Sequence, residues 1–303
     1  MGNYYHAETM IWRDGALVKA AETTTDLYSQ SMHYGYSVFE GIRSYRTAAG
    51  TTRIFKPVEH FVRLEVSAKA LNMPYPWAVE ELIDATYAVL DANGQQDAYI
   101  RPLVFHDANM SFSLNEHSHL AIQTWAMEPF LGEKLLRIKL SSFQRPNPRA
   151  FHIHAKAGGH YVNSILASQE AKAAGYDEAL LTDMHGFVAE GPGANVFMEK
   201  DGQLFTPAPG NILTGITRAT VLEIAAAYGM PVEEKRITVD ELRQADSAFF
   251  CGTAAEVIGW SSFDDHSYPL PWKDSLGHAI QQAYKARVTE SPMPVWKKVT
   301  VNA

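Results

Sequence analysis

A lysine among small residues is the first side chain in this sequence whose setting could support chemistry. Lys156 stands in the stretch FHIHAKAGGHY, with an alanine on each side and Gly158 and Gly159 close behind. Such neighbours leave room beside the amine for a planar ring, and glycines let backbone approach a ligand closely. An apolar pocket favours the neutral amine that imine chemistry requires. The segment alone fits a flexible turn between a strand and a helix equally well.

A carboxylate at a tight turn is the second candidate. Glu190 is followed by Gly191-Pro192-Gly193 and then by another strand-like run. No G-x-G-x-x-G pattern leads into a helix here, which disfavours dinucleotide binding. A buried carboxylate would need a cationic partner, and a protonated pyridine nitrogen would supply one. An exposed turn glutamate remains the alternative.

Two turns of small residues could hold anions. Gly215, Ile216 and Thr217 stand at the start of a predicted helix, where free N–H groups and the helix dipole favour a phosphate. Thr253 and Ala254 follow a predicted strand within CGTAAE, and their N–H groups could hold a carboxylate. Ordinary capping turns would explain the same residues.

The hydrophobic pattern predicts the elements that must position these side chains. Residues 1–126 have the pattern of a small N-terminal α/β domain, residues 127–134 that of an irregular linker, and residues 135–303 that of a larger C-terminal α/β domain. The expected elements are a hairpin turning at Asp14 and Gly15, helices over 58–71, 77–93, 161–174 and 217–228, and strands over 98–105, 120–126, 135–141, 178–182, 187–190, 194–198 and 247–250.

Composition excludes several classes of protein. The 303 residues carry a formal net charge of -8, so no basic surface is offered to nucleic acid or anionic lipid. The single cysteine, Cys251, rules out an internal disulfide and any multi-cysteine metal site. The amino terminus lacks the pattern of a signal peptide, and charges interrupt every candidate membrane span. These features predict a cytoplasmic protein.

Histidines raise the question of a metal. His152 and His154 alternate along a predicted strand, and His117 and His119 repeat that spacing. No H-E-x-x-H pair occurs, and scattered loop histidines are usually solvated, so a metal site is disfavoured. The chain also lacks a G-x-S-x-G elbow and a G-x-x-x-x-G-K-S/T loop, which argues against an α/β-hydrolase and a P-loop NTPase.

Seven segments, taken in order, resemble the branched-chain aminotransferases, a family of fold-type IV pyridoxal-phosphate (PLP) enzymes. The segments are HYGYSVFEGIR (33–43), HFVRL (60–64), AYIRP (98–102), the lysine segment, EGPG (190–193), GITR (215–218) and GTAAE (252–256). The resemblance covers about residues 26–259. It implies a two-domain α/β (α+β) fold, similar to that of D-amino-acid aminotransferases, with PLP between the domains.

The resemblance implies specific roles in holding the cofactor. Lys156 would form the Schiff base with PLP, and its free amine would then move a proton between substrate and cofactor. Glu190 would keep the pyridine nitrogen protonated, and Tyr161 would hydrogen-bond the phenolic oxygen. The phosphate contacts would come from Arg63, Gly215, Ile216, Thr217 and Thr253.

The implied reaction is transamination of leucine, isoleucine or valine with 2-oxoglutarate, which gives branched 2-oxo acids and L-glutamate. Thr253, Ala254 and Tyr99 would bind the α-carboxylate, and Arg101 with Tyr34 would meet the distal carboxylate of glutamate. The side-chain pocket would be lined by Phe39, Gly41, Met127 and Phe130. Because part of this pocket comes from a partner subunit in the family, the resemblance implies a homodimer or a higher homo-oligomer.

Two departures and several alternatives accompany the resemblance. Met127 stands where many relatives have a bulky aromatic residue, which leaves the width of the side-chain specificity open, and Thr214 stands where proline is common. D-amino-acid aminotransferases, R-selective amine transaminases and aminodeoxychorismate lyases share the lysine and glutamate, but fit the FEGIR and YIR segments poorly. A PLP-free binding protein would have lost Lys156, and a metal-dependent hydrolase is the remaining outsider.

Overall fold

The computed structural model describes residues 4–127 and 134–294. Two β-sheets and the helices packed on them make up these residues. The strands are β1 Met10–Arg13, β2 Ala16–Lys19, β3 Val38–Phe39, β4 Ile42–Arg46, β5 Thr52–Ile54, β6 Ala98–Phe105, β7 His119–Ala126, β8 Leu136–Gln144, β9 Glu178–Thr182, β10 Val188–Glu190, β11 Asn195–Lys200, β12 Gln203–Pro207, β13 Val232–Lys235, β14 Ser247–Gly252, β15 Glu256–Phe263 and β16 His266–Ser267. The α-helices are α1 Gln30–Tyr34, α2 Pro57–Ala70, α3 Val79–Ala92, α4 Tyr161–Ala173, α5 Ile216–Ala227, α6 Val239–Arg243 and α7 Leu276–Val288.

The first sheet is antiparallel and has the order β2-β1-β7-β6-β4-β5, with β3 paired to β6. The predicted hairpin is confirmed, since β1 and β2 turn at Asp14 and Gly15, both at positive φ. Helices α2 and α3 cover one face of this sheet. Their apolar stripes, which include Phe61 and Leu82, are fully buried against the strands and form one hydrophobic core.

The second sheet has nine strands in the order β10-β9-β8-β15-β14-β11-β12-β13, with β16 beside β15. It mixes parallel pairs (β8 with β9, β8 with β15, β12 with β13) with antiparallel ones. Strand β10 pairs with both β9 and β11, so this part of the sheet closes on itself. Helices α5 and α7 share a core with β14 and β15, and α4 packs on β8 and β9.

The two sheets meet along backbone segments that pack unusually closely. Val38 forms a β-bridge with Ala157, and the Phe39 N–H donates to the Lys156 carbonyl at 3.1 Å. A Cβ on Gly35, which has a φ of +64°, would lie 2.8 Å from the Cα of Gly159. The glycines after the lysine therefore let two chain segments approach each other, whereas the sequence suggested that they make room for a ring.

A buried ion pair also links the two sheets. Arg43 of β4 lies 3.2 Å from Glu256, the first residue of β15, and donates to the carbonyl of Met127 at 3.0 Å. The strands of the first sheet end at Ala126 and those of the second begin at Leu136. The predicted linker (127–134) falls between them; because residues 128–133 lie outside the described part, the domain boundary stays a prediction.

The expected strand carrying His152 and His154 is wrong. The Ile153 N–H donates to the Phe151 carbonyl at 2.9 Å, and the Ala155 N–H donates to the His152 carbonyl at 2.8 Å. These donors are used in consecutive tight turns and are not available for a sheet ladder. The two histidines therefore do not alternate on a strand face.

The other histidine pair includes a side chain that is engaged by carboxylates. His119 lies between two carboxylates, with Nδ1 2.6 Å from Asp14 and Nε2 2.5 Å from Asp107. Residues 4–127 and 134–294 bring no three His, Cys, Asp or Glu side chains together as a metal-binding group. Over the same ranges, every helix falls short of the length and apolar character that a membrane span requires.

Candidate active site

Lys156 lies at the junction of the two sheets and points toward the start of α4. Its Nζ donates to the hydroxyl oxygen of Tyr161 at 2.7 Å, and the amine lies 5.1 Å from the centre of the Phe39 ring. The backbone N–H of the lysine donates to Ser67 Oγ of α2 at 3.0 Å. The amine is thus fixed by contacts from both halves of the chain.

Glu190 ends β10 as predicted, and it is buried rather than exposed at the turn. Its carboxylate accepts from the Asn195 side-chain amide at 3.0 Å and from the Leu213 N–H at 3.2 Å. Arg145 forms an ion pair with it at 2.8 Å. Burial nevertheless raises the pKa of Glu190, while Arg145 and the Leu213 N–H oppose that rise. A further cation within reach would favour the ionised carboxylate.

Arg145 and Asn195 are partners of Glu190 that sequence reasoning missed. The sequence predicted that a buried Glu190 would need a cationic partner, and Arg145 of the same chain is one such partner. Arg145 lies in a turn-rich segment 45 positions before Glu190, and no local pattern connects the two. Asn195 is only five positions away across the Gly-Pro-Gly turn, so its approach to Glu190 could have been expected from the hairpin.

The residues expected at a phosphate come together in the same cleft. Gly215 is the N-cap of α5, so the N–H groups of Ile216 and Thr217 lie in its first turn and have no intrahelical acceptor. Arg63 of α2 donates to the Thr214 carbonyl at 3.2 Å, directly before that cap. Thr253 lies in the turn after β14 and lines the cleft.

A single cleft joins these groups, and its chemistry fits PLP. The amine, phenol and buried carboxylate match the aldehyde, phenolic oxygen and pyridine nitrogen of the cofactor, and the guanidinium with a helix N-terminus matches its phosphate. The cleft is also a close-fitting cradle, since a Cβ on Gly215 would lie 2.1 Å from Asn195 Oδ1. Its lining includes Arg63, Lys156, Tyr161, Glu190, Gly215, Ile216, Thr217 and Thr253.

A second cluster, on the first sheet, contains four of the predicted substrate residues. Arg101 donates to the Tyr99 hydroxyl at 3.0 Å, and its guanidinium lies 4.5 Å from the centre of the Phe39 ring. A Cβ on Gly41 would lie 2.0 Å from the Tyr99 hydroxyl, so glycine is required there. The Phe39 ring contacts Tyr161 at 4.8 Å between centroids, which joins this cluster to the lysine.

The remaining predicted substrate residues are less closely associated. Tyr34 is 48% exposed and packs on Phe112 at 5.6 Å between ring centroids, so within the described chain its ring does not join Arg101. Met127 is half-buried and is held by its carbonyl. Ala254 follows Thr253 in the turn before β15. Phe130 lies outside the described residues.

Comparison with known proteins identifies the family. The family model described as amino-transferase class IV matches residues 37–263. The branched-chain-amino-acid aminotransferase of Pseudomonas aeruginosa is 40% identical over 282 residues, which cover 91% of each chain. The chain belongs to the branched-chain aminotransferases of this class. The segments that suggested the resemblance therefore identified the family correctly.

Solved structures agree with this identification and with the fold class. The branched-chain aminotransferase of Thermoproteus uzoniensis, solved with norvaline, superposes with a TM-score of 0.88 at 37% identity, covering 93% of this chain and 95% of that one. The branched-chain aminotransferase of Escherichia coli gives a TM-score of 0.90 at 33% identity, covering 95% and 97%. A third such enzyme, solved with N-(5'-phosphopyridoxyl)-L-glutamate, gives 0.86 at 38% identity, covering 94% and 95%. The two-sheet α/β architecture is thus that of fold-type IV, and the protein is a PLP-dependent aminotransferase.

Proposed function

We propose that this protein transfers the amino group of L-leucine, L-isoleucine or L-valine to 2-oxoglutarate, with Lys156 as the catalytic base. The observation that carries the proposal is the contact of Lys156 Nζ with the Tyr161 hydroxyl at 2.7 Å, in the cleft that also contains buried Glu190 and Arg63. Relatives named for this activity, and the norvaline and phosphopyridoxyl-glutamate complexes of two of them, support the choice of substrates.

Each cofactor-side residue has a role that follows from its position. PLP, when bound, supplies an electron sink for the electrons released from the substrate Cα–H bond. Lys156 would serve as the base that moves the substrate Cα proton, because its amine would be free once substrate is bound. Tyr161 would orient that amine, and Glu190 would favour a proton on the pyridine nitrogen. Arg63 and the first turn of α5 would hold the phosphate.

The substrate-side residues serve two different partners in one pocket. Tyr99, with the N–H groups of Thr253 and Ala254, grips the α-carboxylate common to all substrates. The space beside Phe39 and Gly41 accepts an aliphatic side chain in one half-reaction, and we assign Met127 and Phe130 to the same pocket from the family resemblance. In the other half-reaction Arg101 pairs with the distal carboxylate of glutamate, which has no counterpart in leucine.

Arg101→Ala should therefore separate the two half-reactions. We expect kcat/KM for 2-oxoglutarate and glutamate to fall about ten- to hundred-fold, since a charge-assisted hydrogen bond is lost, while the value for leucine changes by less than about three-fold. Single-turnover kinetics with each substrate would measure both values. Arg46→Ala, at an exposed position on β4, is the matched control and should leave both unchanged. An equal loss for leucine and glutamate would contradict the role.

The assembly we propose is a homodimer or a larger homo-oligomer in the cytoplasm. Exposed apolar side chains, unusual on the surface of a monomer, gather on the helix α1 region and on the loop between β6 and β7. They include Tyr28 at 68%, Phe112 at 92% and Leu114 at 73% exposed. A second copy bound to this surface would cover them. Tyr34, which is half-exposed, would then contribute to the substrate pocket of the second copy.

The experiment that tests the function is a panel of half-reactions. The PLP form of the purified enzyme is mixed with single L-amino acids, D-amino acids or R-amines, and conversion to the amine form is followed by absorption. We expect rapid conversion with L-leucine, L-isoleucine, L-valine and L-glutamate. Faster conversion with D-alanine or an R-amine would instead support the D-amino-acid or R-amine transaminase alternative.

A further inference from the structure

A fully buried carboxylate lies directly behind Arg63. Glu40, between β3 and β4, has no exposed surface, and its Oε1 accepts from Arg63 Nε at 2.6 Å. Its Oε2 accepts from Arg63 Nη2 at 2.9 Å. This two-point contact is the side-on fork in which guanidinium and carboxylate are most rigidly held together. Glu40 belongs to the FEGIR segment, and the family resemblance implies no role for it.

A buried histidine completes the arrangement. His60 Nδ1 lies 2.7 Å from Glu40 Oε2. Burial lowers the pKa of His60, and the nearby Arg63 and Lys156 charges lower it further, although Glu40 opposes this. Burial by itself would raise the pKa of Glu40, but Arg63 and His60 hold it well below its ordinary range. The contact is therefore a neutral imidazole donating Nδ1–H to an ionised carboxylate.

The geometry leaves part of Arg63 available to a ligand. The edge formed by Nε and Nη2 is occupied by Glu40, and Nη1 donates to the Thr214 carbonyl at 3.2 Å. Each Nη atom carries a second hydrogen that these contacts do not use. Arg63 itself lines the cofactor cleft, with 14% of its side chain exposed. The guanidinium is thus held in one orientation before a ligand arrives.

The same helix face connects this group to the lysine. His60, Arg63 and Ser67 follow each other on α2 at spacings of three and four, so they lie on one face. Ser67 accepts from the Lys156 N–H at 3.0 Å. Movement of Arg63 would require either the loss of the fork or a shift of the helix that also supports the lysine backbone.

We propose that Glu40 is a positioning residue for the cofactor: together with His60 it fixes the Arg63 guanidinium in the orientation that binds the phosphate of PLP. The proposal rests on the assignment of Arg63 to the phosphate in the proposed function. Glu40 adds no attraction for the phosphate, because its own charge is negative. Its contribution is to remove the rotational freedom that a long side chain would otherwise lose on binding.

The test compares PLP with pyridoxal, which has the same ring and aldehyde but no phosphate. Both are titrated into the cofactor-free full-length enzyme, and the long-wavelength absorption of the lysine-bound form gives each dissociation constant. The ratio of the two affinities isolates the contribution of the phosphate. Free pyridoxal forms an internal hemiacetal that lowers its apparent affinity, but this factor is the same for every variant and cancels when variants are compared. We expect Glu40→Gln to lower this ratio by about ten-fold or more, as Arg63→Ala does, with no further fall in the double variant.

Two further variants make the result decisive. Glu65→Gln changes a partly exposed carboxylate on the same helix, paired with Lys69, and should leave the ratio unchanged. If Glu40→Gln does not fold, Glu40→Asp takes its place, because it keeps the buried charge but is too short for both contacts, and should also lower the ratio. A Glu40 variant that weakens PLP and pyridoxal equally would overturn the proposal. An unchanged ratio in Arg63→Ala would overturn the phosphate assignment as well.

Discussion

Lys156→Ala is expected to lose transamination of L-leucine with 2-oxoglutarate by on the order of 10^4-fold or more. The reason is that, in the proposed function, one amine is both the attachment point for the cofactor and the base that moves the Cα proton. Tyr161, 2.7 Å away, cannot replace it, because a phenol cannot form the Schiff base with PLP. Coupled detection of glutamate measures the rate, and absorption shows loss of the long-wavelength band of lysine-bound PLP.

The matched control for this variant is Lys172→Ala. Lys172 is exposed near the end of the same helix, about three turns from Tyr161, so its removal should leave rate and absorption unchanged. Added methylamine should partly restore the proton transfer in Lys156→Ala, since a small free amine can enter the space left by the side chain. Leucine turnover in Lys156→Ala within ten-fold of the parent, without added amine, would exclude the assigned role.

Glu190→Gln is the second large effect we expect: a fall in kcat of about 10²–10³-fold with PLP still bound. An ionised carboxylate stabilises a proton on the pyridine nitrogen, whereas a neutral amide does not, so the ring withdraws electrons less strongly. The amide keeps the shape of the side chain, and an amide oxygen at the Oε2 position can still accept from both Asn195 and Leu213. Single-turnover rates with leucine, together with the PLP content after gel filtration, separate chemistry from binding.

Glu233→Gln serves as the control, because Glu233 is an exposed glutamate on β13 and far from any proposed role. Arg145→Gln tests how far Arg145 helps to keep Glu190 ionised. Without Arg145, burial raises the pKa of Glu190 with less opposition, so the ionised carboxylate would depend more on a pyridinium partner. A Glu190→Gln enzyme that reacts at the parent rate would show that the carboxylate does not control the ring nitrogen.

Much of the fold could be predicted because its signals are local. Apolar spacing located α2, α3, α4 and α5 to within two residues at each end, since an amphipathic helix must bury one face. The Asp14-Gly15 hairpin followed from turn chemistry. The strand predicted at His152 and His154 was wrong because the alternating pattern of residue types does not show where the backbone hydrogen bonds go. In the structure, tight turns use the backbone N–H groups that a strand would need.

The candidate site likewise has features that local sequence predicts and contacts that it does not. The sequence by itself determined which groups could do chemistry: Lys156 among small residues, Glu190 at its turn, and the N-cap at Gly215. It also determined the family, because several segments had to match in order. Each of these features is expressed within a few consecutive residues, where residue type and turn geometry are directly coupled.

Only the tertiary structure decided how these groups are held. Glu40 meets Arg63 across 23 positions, and Arg145 meets Glu190 across a separate part of the chain. No sequence pattern predicts such ion pairs, because a buried carboxylate can pair with any cationic side chain that the fold places beside it. The amine, carboxylate and guanidinium were therefore visible from the start, while their orientations depend on contacts between elements that are distant along the chain.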